Sequence, residues 1–444
     1  MANGREVNPA FSLLALAFSL TLAAGAEHDP AEVLKRATGK VVANARRLPK
    51  YTCVETVTRD FFVSAAGTPP RACSVLVEQK SPTPDLALRP VTTDRLRLDV
   101  TMAVGGEIFS WVGASQFDNA GIEHLIHNGP IGTGAFGGFL DIVFKFDAQK
   151  ITFEKYVLAD GRSLMEYSFA VPPASSHYQV KMHGTWLLTG YTGTFQVDPE
   201  SGDVVRMTIQ TAELPASTGE CTVITNLDFR SAQIGEARFM VPARARQRFM
   251  YRDGQEVENN TLVASCREYR SESSISFAGE PRRVTGSSDE SAPERPVAVP
   301  ERLRFKLELT TPINSDTAAA GDPFAARLAE PLRDTQRKVL APAGSVVEGR
   351  LLRVQISHTP PVEVVVVLKP RTLEMNGAKV PLAAVRDWTQ VHSARRKKGV
   401  KVVLPLKGEE QAGVFEFAGG HVVVKKGMKS DWRTVAPEEV KKEQ

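Results

Sequence analysis

The chain has 444 residues, 42% hydrophobic and 24% charged, a balance that belongs to folded proteins and excludes global disorder. Its formal charge of +4 comes from 55 basic and 51 acidic residues, so no broad basic surface is available and no nucleic-acid partner is expected. The length is more than one ordinary core needs and predicts two or three domains.

In chain order, the first signal is the apolar run FSLLALAFSLTLAAG (residues 11–25), followed by Ala24-Gly25-Ala26 and then charged Glu27. This pattern predicts a cleaved secretory leader over residues 1–26, too short for a stable membrane span. A retained N-terminal anchor is the alternative. Export would take the four cysteines, Cys53, Cys73, Cys221 and Cys266, into an oxidising space, where disulfides are the expectation. Three pairings are possible. Cys53–Cys73 with Cys221–Cys266 is preferred, because each pair flanks segments that read as neighbouring strands, at about 3–4 kcal/mol per bridge. The chain has no C-x-x-C, and no histidine lies near a cysteine, so neither a metal nor another cofactor is expected.

Asp29-Pro30-Ala31-Glu32 opens a helix, with Asp as the cap, Pro in the first turn and Glu reaching back. Val33, Leu34, Ala37, Val41, Ala45 and Leu48 then recur at helical spacing until Pro49. The opposite face carries Lys35, Arg36, Lys40, Arg46 and Arg47 and is either solvated or placed against acidic lipid headgroups. From Tyr51 the period becomes that of strands. About a dozen β-branched or alternating runs follow to residue 277, punctuated by turns such as Asp160-Gly161 and Pro199-Glu200-Ser201-Gly202. One or two helices and many sequential hairpins predict a large antiparallel sheet that must curl or be capped.

Within this region Gly132-Thr-Gly134-Ala-Phe-Gly137 matches G-x-G-x-x-G. A dinucleotide fingerprint needs a buried strand before it and a helix after it within a β-α-β unit, and antiparallel strands surround this one. The stretch reads instead as the entry to a short buried or lid-like helix. Glu123-His124-Leu-Ile-His127 has neither zinc-peptidase order, and Ser176-His177 are sequence neighbours that cannot face each other on a strand. No catalytic constellation is present, and the chain is read as a non-enzyme. The candidate ligand residues are aromatic: Trp111, Phe136, Phe139, Phe144, Trp186, Tyr191 and Phe195, which could line an apolar cavity if the sheet curls. A filled core is the alternative.

The helix-then-meander order with its leader resembles the bacterial periplasmic lipoprotein-carrier superfamily, in which a half-open antiparallel barrel capped by helices holds acyl chains or a peptide. LPKYTCVETVTR, GTGAFGGFLDIVF, GTFQVDPESGDVVRM and VPARARQRFMYRDG also resemble a family of uncharacterised secreted bacterial proteins. The resemblance covers roughly residues 27–278 and implies a fold, with no ligand residue carried over.

Residues 278–301 are rich in Pro, Ser and charge and read as an extended linker. Beyond it, Leu309-Thr310-Thr311-Pro312-Ile313, Ala320-Gly321-Asp322 and Leu340-Ala341-Pro342-Ala343-Gly344-Ser345 resemble the small β-barrel module of outer-membrane channel subunits of conjugative and type IV secretion systems. This second domain, residues 302–436, has a strong hairpin signal at Asn376-Gly377 and is expected to be a stand-alone binding or docking module. ARRKKGVK (residues 394–401) is the densest basic patch, either a solvated turn or a peripheral contact with an anionic membrane. Residues 437–444 read as a frayed tail.

The expectation is therefore an exported, mainly β, two-domain envelope protein. Its N-terminal half-barrel would bind a lipid, a lipoprotein or another apolar ligand, and its C-terminal barrel would dock an envelope protein. A structural or protein-interaction component without a small ligand is the alternative, and a hydrolase assembled only by the fold is a third class.

Overall fold

The computed structural model describes residues 28–47, 51–67, 69–78, 88–103, 106–114, 117, 121–147, 151–182, 185–234, 237–268, 299–387 and 403–436. The leader, residues 278–298 of the expected linker, the basic patch at 394–401 and the tail at 437–444 lie outside them.

Helix α1 (Pro30–Ala45) begins where the sequence places it: Asp29 accepts a hydrogen bond from the Ala31 amide at 2.9 Å, and Pro30 occupies the first turn. It buries Val33, Ala37 and Val41, a narrow and small-sided stripe that lets the helix lie close to a sheet. That sheet is a long antiparallel meander. The strands of this region are β1 (Tyr51–Ser64), β2 (Leu88–Ala103), β3 (Gly106–Trp111), β4 (Ile151–Ala159), β5 (Arg162–Val171), β6 (Gln179–Met182), β7 (Thr185–Leu188), β8 (Tyr191–Val197), β9 (Val204–Thr211), β10 (Glu220–Ile234), β11 (Ala237–Tyr251) and β12 (Glu256–Glu268).

Pairing runs β4-β5-β8-β9-β10-β11-β12-β1-β2-β3, with β6–β7 a separate hairpin. The last strand returns to the first, but among the described residues β3 pairs only with β2 and β4 only with β5, and no register joins β3 to β4. The barrel therefore stays open on one side, and residues 121–147, with α3 (Gly138–Asp141) and a π-turn, follow β3 and lead towards β4. The turns obey local chemistry. Asp160 and Gly161 both take positive φ, 51° and 74°, which suits the twist of a two-residue hairpin.

The disulfides correct the preferred pairing. Cys53 bonds Cys266, and Cys73 bonds Cys221. The expectation assumed that Cys73 lay on a strand beside β1. Instead Cys73 starts a short helix, α2 (Cys73–Glu78), whose Leu76 packs in a cluster with Cys221, Ile224 and Met250. The neighbour of β1 is the distant β12, so its cysteine is the one within reach. The bridges span 213 and 148 residues, one loop nested in the other.

The C-terminal region is a second curled antiparallel sheet built on Arg304–Leu309, Pro323–Leu328, Val346–Ser357, Glu363–Met375, Gly413–Ala418 and Lys429–Thr434. Its core gathers Phe305, Leu307, Phe324, Val366, Phe415 and Trp432, with the Trp432 indole donating to the Ser430 hydroxyl. Asn376 and Gly377, at φ of 51° and 78°, make the hairpin turn that the sequence announces.

This region does not stand alone. Gln355, Ile356 and Ser357 pair with Asp94, Thr93 and Thr92 of β2, and a parallel bridge joins Leu96 to Ala320. The Arg97 amide donates to the Ala320 carbonyl at 2.7 Å, and Ala320 returns a bond to the Arg95 carbonyl. Arg97 also forms an ion pair with Asp322. Strand β2 is the shared seam: its first half serves the C-terminal sheet and its second half pairs with β3.

Candidate functional site

The glycine-rich stretch does cradle a carboxyl group, but that group is the protein's own. The Glu107 carboxylate, on β3, accepts amide hydrogen bonds from Gly134 at 2.7 Å, Gly137 at 2.9 Å and Gly138 at 3.2 Å. Burial raises the Glu107 pKa, and the loop amides work against that rise by favouring the ionised form. Donors that would meet a phosphate in a nucleotide site are thus already used. Gly134, at φ +96°, and Gly132, whose missing side chain makes room for Gln247, fit this packing. Nearby Glu55 is buried, has an unpartnered Oε1, and is pushed up to about 8 by burial, with the Glu107 charge adding to the rise.

Five of the seven expected ligand aromatics sit in closed packing. Phe139, Phe144, Tyr191 and Phe195 share one core, and Phe136 belongs to the adjacent one. The Phe144 and Phe195 rings meet at 4.9 Å, Tyr167 stacks on Phe195 at 5.3 Å, and Phe139 meets Tyr178 edge-on at 5.4 Å. The Tyr191 hydroxyl donates to the fully buried Asp147 carboxylate at 2.9 Å, and His177 caps the same carboxylate through its amide and its ring. That arrangement ties the end of the π-turn to the sheet. It also raises the Tyr191 pKa, through burial first and the Asp147 contact second. Trp186 lies outside the core, 56% exposed, with the Lys181 ammonium over its ring. Trp111 lines a cleft between the two regions. Aromatic content alone therefore points to the filled part of the half-barrel.

The open part is beside α1. A groove of about 240 Å³ runs between this helix, the Gly202–Val204 end of the β8–β9 turn, and strands β10 and β11. Its floor is Val41, Leu140, Val204, Phe229, Phe239 and Met240, and its rim carries Lys40, Arg47 and Arg238. Polar contacts hold the helix in place around it. Asn44 donates to the Met240 carbonyl at 2.8 Å, Lys40 pairs with Asp203 at 2.9 Å, and Arg36 donates to the Pro199 carbonyl. The turn that receives them is set by Asp198, whose side chain accepts from the Glu200 and Ser201 amides, and by Gly202 at φ +75°. An apolar trough with a cationic rim suits an apolar chain that ends in an anionic or polar head. Phe229, Phe239 and Met240 carry no motif. The one sequence signal near this place was the basic face of α1.

Among the described residues, no three His, Cys, Asp or Glu side chains group to hold a metal ion, and no helix is long and apolar enough to cross a membrane.

No protein-family model matches the chain, and no curated protein does. Solved structures similar to it include a LolA superfamily protein from Nitrosomonas europaea, at 10% identity and a TM-score of 0.25, covering 54% of this chain and 93% of its own. A DUF1329 family protein from Desulfovibrio piger aligns at 11% identity and a TM-score of 0.25, over 53% of this chain and 92% of its own. A domain described as an outer membrane lipoprotein-sorting protein, from Vibrio parahaemolyticus, aligns at 10% identity and a TM-score of 0.26, over 54% and 93%. At these scores the functional reading rests on the chain's own geometry.

Proposed function

We propose that this is an exported, non-catalytic carrier or sensor of the cell envelope that holds the acyl chain of a lipid or lipoprotein in the groove beside α1. The observation that carries the reading is the groove itself: an apolar floor open to the surface, with Lys40, Arg47 and Arg238 at its edge for a headgroup. At about 240 Å³ it is smaller than most small-molecule sites, so it takes part of a chain. The two disulfides agree with an oxidising compartment, which supports export. The C-terminal region, fused to β2 by backbone pairing, would present the carrier to an envelope partner. A barrel of the secretion-channel type belongs to the same proposal.

The test is displacement of a fluorescent fatty acid from the full-length mature chain, with Ala43→Trp as the blocking variant. Ala43 sits at the groove on the exposed side of α1, so a large ring fills the mouth without disturbing the core. Saturable binding to wild type, weakened at least about tenfold by Ala43→Trp, is the expected result. Equal binding by both proteins places the ligand elsewhere, and no binding by either removes the carrier reading.

A further inference from the structure

The join between the two regions holds a second cleft, of about 280 Å³, whose chemistry is opposite to that of the groove. Seven cationic side chains line it against two carboxylates, and both carboxylates are already engaged. Asp94 receives both arms of the Arg59 fork, at 2.8 and 2.6 Å, while Glu409 takes Arg353 at 2.9 Å and the Leu406 amide at 2.8 Å. Among the described residues, Arg350, Arg371 and Lys407 have no carboxylate within ion-pair distance.

Arg350 is the most telling of these. It is only 9% exposed, and its Nη1 reaches across the join to the Val112 carbonyl at 3.0 Å while also donating to the Gly321 carbonyl of its own region at 2.7 Å. Its Nε has no hydrogen-bond partner, and neither has the Nε of Arg353. Burial, and then the charge of Arg371, push the Arg350 pKa down to about 10 against the opposing pull of Asp99 and Asp322, so it stays a cation at neutral pH. Those two carboxylates already pair with Arg267 and Arg97. Burying a guanidinium beside another one, with donors unmet, is unfavourable unless an anion completes the site. A single carboxylate would neutralise little of this excess. A phosphoryl group brings up to two charges and three acceptor oxygens, and it matches the planar donor fork of arginine.

We propose that this cleft is a binding site for a phosphoryl group, held by Arg350 and Arg371 with Lys407. The group has two sources, a soluble phosphate or a phospholipid headgroup, and the site stands independently of the groove beside α1.

The experiment is thermal unfolding of the full-length mature chain against inorganic phosphate at fixed ionic strength, with flotation on phosphatidylcholine vesicles containing phosphatidic acid. The variant is Arg371→Gln with Lys407→Gln; both side chains are exposed, and neither makes the join-spanning contacts of Arg350. The variant should be no less stable than wild type without phosphate, because like-charge repulsion is relieved. Saturable stabilisation of wild type by phosphate, with an apparent affinity about tenfold weaker in the variant, supports a soluble ligand. Flotation of wild type but not of the variant, with phosphate competing, supports a headgroup. If phosphate stabilises both proteins equally, or neither phosphate nor vesicles bind, the proposal is overturned.

Discussion

The groove beside α1 and the cleft at the join enclose similar volumes, about 240 and 280 Å³, yet they are built from opposite materials. The groove has an apolar floor, and of its rim cations Lys40 is paired with Asp203, so it gives up little when empty. The cleft buries the Arg350 guanidinium with its Nε unpartnered and a second guanidinium, Arg371, beside it. Volume is therefore a poor guide to purpose. What a site lacks, apolar cover in one case and negative charge in the other, says more about its ligand.

The largest break in this comparison comes from the covalent frame around the groove. Cys53 and Cys266 tie β1 to β12, the pairing that brings the last strand of the meander back to the first. Replacing both with Ser should cost about 4–5 kcal/mol in denaturant unfolding, from the long loop released. A loss below about 1 kcal/mol would show that strand pairing alone closes the sheet.

Next comes the filled core against the open groove. Phe195→Ala should cost about 3–5 kcal/mol, since its ring packs against Phe144 and Tyr167 at full burial. Trp186→Ala should stay within about 0.5 kcal/mol, as its ring is outside the core. If the two losses matched, the division into packed core and exposed hairpin would be mistaken.

A smaller effect sharpens the role of the buried acids. Glu55 has a folded pKa of about 8 against an ordinary 4.5, so the folded state holds its proton more tightly than the unfolded state does. The stability this contributes is full below about pH 4.5 and is lost as pH rises towards 8, by on the order of a few kcal/mol. Glu55→Gln should flatten that slope in unfolding curves taken from pH 4.5 to 8. An unchanged slope would assign it to other groups.

Much of the architecture was legible because it follows from local rules. Asp29-Pro30 capped a helix, Asp160-Gly161 and Asn376-Gly377 forced hairpins, and alternation marked the strands. Antiparallel context was enough to separate the Gly132–Gly137 stretch from a nucleotide loop, but the carboxylate it wraps, Glu107, lies 27 residues before Gly134 and is invisible to pattern. The cysteine pairing failed for a related reason. Only the closing of β12 onto β1, across 213 residues, decides which thiols meet. Both clefts depend on such distant contacts: Phe229, Phe239 and Met240 meet Val41, and Arg350 meets Val112, only in three dimensions. Of the seven aromatic residues that stood out in the sequence, five fill the core, while Trp186 lies exposed and Trp111 lines the cleft at the join.

Ala43→Trp, like Trp186→Ala, should change stability by no more than about 0.5 kcal/mol, and it gives the most direct test of the carrier reading. Mature wild type and Ala43→Trp would be purified from the periplasm without detergent and compared by native mass spectrometry before and after denaturation. Wild type should carry a releasable mass that fragments as acyl chains, and Ala43→Trp should arrive empty. A wild-type protein that is empty, and stays empty after incubation with lipids and lipopeptides, would contradict the carrier reading.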